Sequence, residues 1–409
     1  MKKRWSMRNV VLVVHRWTGL AMAVFLVIVG LTGSLLAFRE PINRLFNPGL
    51  YVDANGRQPL DLATLAERAE AQEPKMSIWM FTSEEHQALF HVFPRLDLVS
   101  NKPLAIDFDQ LILAPYTGKE LGHYMMEDWS NWRPNIMNIV YGVHTALGTR
   151  SGAGWQFMGY VALVWTIDSL VAIWLTFPRG VGPFWLRWRQ GWGIKWRANF
   201  TRVNFDLHRA GGLWLWPLLF VFGWSSVMFG LPQVYEPVMH AVFHKPSLEE
   251  SIQSLVVDQP LVHPKLNWRQ AQAAGEKLLA DQGALHHFTI ARPYGMAFVG
   301  ELGGYSYCVR TSRDIRGHGW DTGVLVDGNN GSFRHLFLPT GEGLGDTIGT
   351  FLWGIHYADL RDWFAYRLFI GLFGIFLALL SISGVLIWWK KRAARRKTRA
   401  HLAQSTTAA

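Results

Sequence analysis

Four apolar stretches constrain this 409-residue chain more than any other feature. They run roughly 10–38, 155–177, 213–231 and 364–389. At 1.5 Å per helical residue, each is long enough to cross about 30 Å of hydrocarbon. Lipid offers backbone groups no hydrogen bonds, so the stretches read as transmembrane helices. Pro217 falls near the start of the third, where a membrane helix tolerates it. Two long polar segments lie between the stretches, and the chain is 50% hydrophobic but only 17% charged. The expected class is therefore membrane α-helical with α+β extramembrane domains.

Charge orients the helices. Segments 1–9, 178–204 and 390–409 hold 4, 6 and 7 Lys or Arg and no Asp or Glu. They carry +17, the remainder −7, so the net +10 is a topology signal rather than a nucleic-acid footprint. Both termini and the 178–204 loop are expected on the cytoplasmic side. The first stretch has basic flanks but too long an apolar run for a signal peptide, and is read as retained. The expected division is 1–38 (N-terminus and first span), 39–135 (first periplasmic domain), 136–177 (His-bearing segment and second span) and 178–204 (basic, Trp-rich loop). It continues with 205–231 (third span), 232–345 (second periplasmic domain), 346–389 (His-bearing segment and fourth span) and 390–409 (basic tail).

The order repeats: span, outer domain, His-bearing segment, span. FREPINRLFNP follows the first span and VYEPVMHAVFHKP the third, matching Glu40-Pro41 to Glu236-Pro237 and Phe46 to Phe243. Each outer segment carries an amphipathic helix pattern, Leu62–Gln72 and Trp268–Gln282, then alternating strand patterns such as Leu89–Phe93 and Gly323–Val326. Each also carries a turn whose glycine, Gly118 or Gly331, suits positive φ. Four transmembrane helices as two tandem repeats are expected.

Histidines mark the repeat. VVHRWTGLAM and FDLHRAGGLW place His15 and His208 at the cytoplasmic ends of the first and third spans. YGVHTAL and WGIHYADL place His144 and His356 before the second and fourth. Histidine is the commonest metal ligand and is costly at membrane depth unless used. Gly19 and Gly212, four residues after their histidines, share a helical face with them and leave room for a flat group. Arg16 and Arg209 could bind propionates. The pattern suits bis-histidine haem, with two matched pairs making a path for electrons. An isolated His-Arg would equally suit an interfacial anchor, and His144 and His356 would equally suit caps. From each outer histidine to its cytoplasmic boundary is about 33 residues, about 50 Å as one helix, so a bend or a separate short helix is expected. Gly148, Gly152 and Gly154 offer a break in the first copy only.

The helix-plus-strands unit with a terminal TG turn resembles a PepSY domain. The whole layout, from about Arg8 to Lys391, resembles the PepSY-associated transmembrane family. That resemblance implies a PepSY-like periplasmic domain in each repeat and haem-mediated reduction of a ferric siderophore on the periplasmic side.

Other residues compete. His240 and His244 are spaced i,i+4 and could hold a metal, though the first repeat has Arg44 and Pro48 there. His286 and His287 read as opposite faces of a strand. Asp168 lies inside the second span, and the fourth span is apolar at the matching place, near Ile382. A proton path, a quinol contact and a hydrogen bond to a ligating histidine are all open for it. Trp185, Trp188, Trp192 and Trp196 alternate with Arg187, Arg189, Lys195 and Arg197, an interfacial pattern in contact with the lipid bilayer.

Cys308 is the sole cysteine, which excludes an internal disulfide, a zinc knuckle and an iron–sulfur cluster, and reads as a buried small hydrophobe. Without CxxCH, haem would be b-type, two per chain on this reading. No GxGxxG follows a strand, and GEGLGD at 341–346 lies in the outer region. Electrons would come from quinol or a separate cytoplasmic reductase. Three other readings stand beside this one. They are a membrane-anchored module that binds or inhibits a peptidase, a haem subunit with another acceptor, and a haem-free transporter, which would need more spans.

Overall fold

The structure, a computed structural model, describes residues 6–97, 100, 102–126, 128–149, 151–243, 252–341, 343–360 and 363–407. The first half contains helices α1 (Met7–Leu36), α2 (Arg39–Phe46) and α3 (Leu62–Gln72), then strands β1 (Met76–Ser83), β2 (Ala88–Pro94), β3 (Gln110–Leu113) and β4 (Glu120–Tyr124). Helices α4 (Trp132–Ala146), α5 (Gly152–Thr176) and α6 (Phe184–Trp188) follow. The second half contains α7 (Phe200–Trp214), α8 (Trp216–Gly230), α9 (Pro232–Phe243) and α10 (Trp268–His286). It then runs through β5 (Ile290–Val299), β6 (Gly304–Thr311), β7 (Thr322–Asp327) and β8 (Phe333–Phe337) to α11 (Leu344–His356) and α12 (Phe364–Thr407).

Among the described residues three helices, α1, α5 and α12, are long and apolar enough to cross a membrane, and a fourth crossing is reached where α7 and α8, bent by 67° at their junction, count as one span. The chain is a multi-pass membrane protein. The third span starts at Phe200, inside the segment expected to be a loop, and breaks at Leu215. Pro217 explains the break: it lacks an N–H and its ring crowds the carbonyl of Leu213, so it is accommodated in the first turn of a new helix. The spans pair through small residues. A Cβ on Gly30 of α1 would lie 2.5 Å from the Gly374 carbonyl of α12, and one on Gly159 of α5 2.7 Å from Gly230 of α8.

The two outer segments do not form separate domains. Their strands make one eight-stranded antiparallel sheet, ordered β4-β3-β2-β1-β5-β6-β7-β8. The halves meet where β1 pairs with β5: Met80 with Ala297, Phe81 with Met296, Thr82 with Gly295. A Cβ on Gly295 would lie 2.4 Å from the Phe81 carbonyl, so glycine permits the join. Sequence periodicity shows each half's strands but carries no signal for which edges pair, and that is why the merger was not expected.

α3 and α10 cover one face of the sheet. Leu65, Leu111, Leu279, Phe81 and Phe90 are fully enclosed there, each contributing about 1.5–3 kcal/mol. Gly118 and Gly331 take φ of 61° and 75° at the β3–β4 and β7–β8 turns. α10 runs four residues past the expected end, placing His286 in its last turn, and His287 caps it at φ 56° by donating its N–H to the Gly283 carbonyl. The two histidines therefore end a helix instead of flanking a strand.

Cys308 on β6 is 4% exposed, and burial pushes its thiol up to about 12. Iodoacetamide at pH 8 should leave it unmodified in the folded protein and label it stoichiometrically in denaturant, as read by intact mass. Rapid labelling of folded protein would contradict its place in the core.

Candidate functional site

The four histidines assemble as two pairs. The ring centres of His15 on α1 and His208 on α7 lie 6.5 Å apart. Those of His144 in the last turn of α4 and His356 at the end of α11 lie 6.2 Å apart. Both outer histidines thus sit on short helices separate from the spans that follow. α4 is ended by Leu147 and Gly148 at φ of 54° and 75°. After α11 the non-glycine Ala358 takes φ 54°.

Every one of the four commits its Nδ1 to an acceptor on another helix. His15 donates to the Asp168 carboxylate of α5, at 2.9 and 3.0 Å. His208 donates to the Leu380 carbonyl at 3.1 Å and to Ser383 Oγ at 2.8 Å, both on α12. His144 donates to Thr32 Oγ1 of α1 at 2.9 Å, and His356 to Ser225 Oγ of α8 at 2.8 Å. The hydroxyls are fixed as acceptors because each donates its own proton to a carbonyl in its helix: Ser383 to Leu380, Thr32 to Ile28, Ser225 to Phe222. A carbonyl or carboxylate accepts only. In each neutral ring the proton therefore sits on Nδ1 and the lone pair on Nε2.

These donors fit a metal held between two imidazoles. Two metal–imidazole bonds of about 2.0 Å, with about 1.2 Å from each nitrogen to its ring centre, give about 6.4 Å between centres. Among the described residues no group of three or more His, Cys, Asp or Glu could hold a metal ion.

Glycines shape the surroundings in two ways. A Cβ on Gly33 or on Gly384 would lie 3.1 Å from Cε1 of His144 or of His208, so these glycines make room for the rings. A Cβ on Gly19 or Gly212 would meet nothing within 4 Å, so protein packing does not require glycine there and the face stays open.

A cavity of about 410 Å³ opens onto the outer pair. Its deep end is apolar, lined by Leu26, Trp165, Phe222 and Leu377. Its upper end is polar and reaches the sheet face opposite α3 and α10, where Thr82 and its cross-strand partner Leu89 form the roof.

Other expected residues fall elsewhere. Arg209 is tied to Asp206 at 2.9 Å and to carbonyls of the preceding loop, including Gly191 at 2.9 Å, so its contacts brace that loop. Arg16 is half-buried beside His15 and makes no hydrogen bond or ion pair among the described residues. His240 lies on the exposed face of α9, and His244 lies outside the described residues. Asp168, of the roles open to it, makes the hydrogen bond to His15, joined by Thr18 Oγ1 at 3.0 Å.

Sequence reasoning missed Thr32, Ser225, Ser383 and Asp206. A signal existed for two of them: Thr32 follows His15 by 17 residues and Ser225 follows His208 by 17. Asp206 is fully buried and gathers Arg202, Arg209 and the Lys195 N–H. Removing one partner of a buried ion pair costs about 3–5 kcal/mol, and the partial exposure of both arginines favours the lower end. Asp206→Ala should therefore destabilise the protein by about 3 kcal/mol, read as a fall in Tm in detergent. An unchanged Tm would contradict this bracing role.

A family model described as the PepSY-associated TM region matches residues 12–391. A search of curated proteins returns no match.

Proposed function

The chain belongs to the PepSY-associated TM family, and from that premise we propose that it carries electrons through the bacterial inner membrane to a ferric siderophore. Two b-type haems would be held by His15 with His208 and by His144 with His356. The observation that carries this reading is the shared arrangement of the four histidines, each with Nδ1 committed to a neighbouring helix, in pairs whose ring centres lie 6.5 and 6.2 Å apart.

Bound there, haem supplies a one-electron carrier. The chain's residues supply position and tuning. Asp168 makes a charged hydrogen bond to His15, which raises that ligand's basicity, whereas His208, His144 and His356 face neutral acceptors. The basic-side pair, with its open Gly19 and Gly212 faces, would take electrons from quinol or a cytoplasmic reductase. α1 spans both centres, with Thr32 about 25 Å along the helix from His15. The polar end of the cavity, under the sheet and beside the second pair, would receive the ferric chelate as substrate. Fe(III) held by hard oxygen donors loosens on reduction, because Fe(II) binds such donors more weakly.

A second reading draws on the sheet domain, whose edge strands β4 and β8 could add a peptide strand, as a module that binds a periplasmic peptidase would require. It leaves the histidine geometry without a role.

The two readings part in stopped-flow absorption. Dithionite-reduced protein mixed with a ferric trihydroxamate should reoxidise fully, with Fe(II) captured by a ferrous chelator. His356→Ala should slow that step at least tenfold. No redox-active absorption, or equal rates in His356→Ala and the parent, would reject the electron-transfer reading.

A further inference from the structure

The β6–β7 loop of the sheet domain reaches the helix end that carries His356. α11 stops at His356, and the chain reverses within three residues. Tyr357 donates its N–H to the Trp353 carbonyl and Asp359 donates to Gly354. Buried Ala358 lies between them at φ 54°, a conformation disfavoured for an L-residue that persists only where the surroundings over-determine it.

Ala358 packs into the core of the helices and Tyr366 of α12 donates to the Ile355 carbonyl at 3.2 Å, while from the sheet side one loop meets the turn. The Asp359 carboxylate accepts from the His318 N–H at 3.1 Å and from His318 Nδ1 at 2.8 Å. The Asp359 carbonyl accepts from the Gly317 N–H at 2.9 Å. Arg316 bridges to Leu360 along the backbone, and its guanidinium lies 4.8 Å over the Trp353 ring. The loop is itself held. Arg316 pairs with buried Asp321, and Tyr294 OH accepts from the Gly319 N–H while donating to Glu84 on the β1–β2 turn. His318 Nε2 lies 3.5 Å from that same Glu84 carboxylate. α4, which carries the partner ligand, ends differently: Leu147 and Gly148 bond back to carbonyls of their own helix.

We infer that Asp359 is a positioning residue for His356, acting by clasping the β6–β7 loop onto the end of α11. Ser225 fixes the ring from inside the membrane region, and the clasp fixes the backbone from the sheet side. Glu84, His318 and Asp359 line the same cavity as His144 and His356, so a molecule under the sheet touches the clasp and the pair together. This inference rests on the haem reading at the outer pair for its spectroscopic consequence only.

The test uses full-length protein in detergent with Asp359→Ala, the milder Asp359→Asn, and His318→Gln. Haem content should stay at the parental value. The low-spin electron paramagnetic resonance signal and midpoint potential of the outer centre should shift, while those of the inner centre stay fixed. His318→Gln should give the same shift, and combining it with Asp359→Ala should add nothing further. Hydrogen–deuterium exchange, which needs no haem, should rise together in 313–320 and 353–360. An unaltered outer signal, or equal shifts at both centres, overturns the positioning role even if exchange rises. Unchanged exchange at 353–360 overturns the clasp. Absence of haem in the parent would instead defeat the functional reading, leaving the clasp to be judged by exchange.

Discussion

Four hydrogen bonds from imidazole Nδ1 hold the membrane half of this protein in register, and each crosses from one helix to another. The pair carried by α1 and α7 is braced by α5 and α12, and the pair carried by α4 and α11 is braced by α1 and α8. Each pair takes one histidine from each half of the chain. A histidine with one nitrogen committed has a fixed tautomer and a restricted ring rotation, which is what a ligand facing a shared metal requires. The bracing groups differ in charge: a carboxylate behind His15, neutral acceptors behind the other three. The two histidine pairs therefore have different electrostatic surroundings.

The soluble half answers to the same duplication in another way. Its two sets of strands join along β1 and β5, so the sheet is a single roof over one cavity. In the second half the loop 312–321 meets the chain just after α11, where His318 contacts Asp359. That contact ties the sheet domain to the helix end that carries His356.

Much of this was legible in the sequence, for identifiable reasons. The apolar spans rest on hydropathy, and the nearness of His15 to His208 and of His144 to His356 on short matching words, all local signals. α3 was bounded at Leu62–Gln72 by its apolar spacing alone, and the structure adds the Asp61 side chain as its cap. The strand partners of the two halves were not legible, since edge pairing is a long-range choice. The bend at Pro217 was visible as a residue, but its consequence, a third span reaching back to Phe200, depends on how α7 packs. The acceptor for His208 was hidden because Asp168 was matched to apolar Ile382, whereas the group that serves is the neighbouring Ser383. Arg209 looked like a propionate ligand until buried Asp206 supplied its partner.

The central claim is that both histidine pairs hold haem. Pyridine haemochrome analysis of purified protein, normalised to chain concentration, tests it most directly. The account predicts two b haems per chain, falling to one in His15→Ala or His208→Ala and to one in His144→Ala or His356→Ala. A parent chain with no haem would contradict the claim outright, and one with a single haem would leave one pair loaded and reject a path through both.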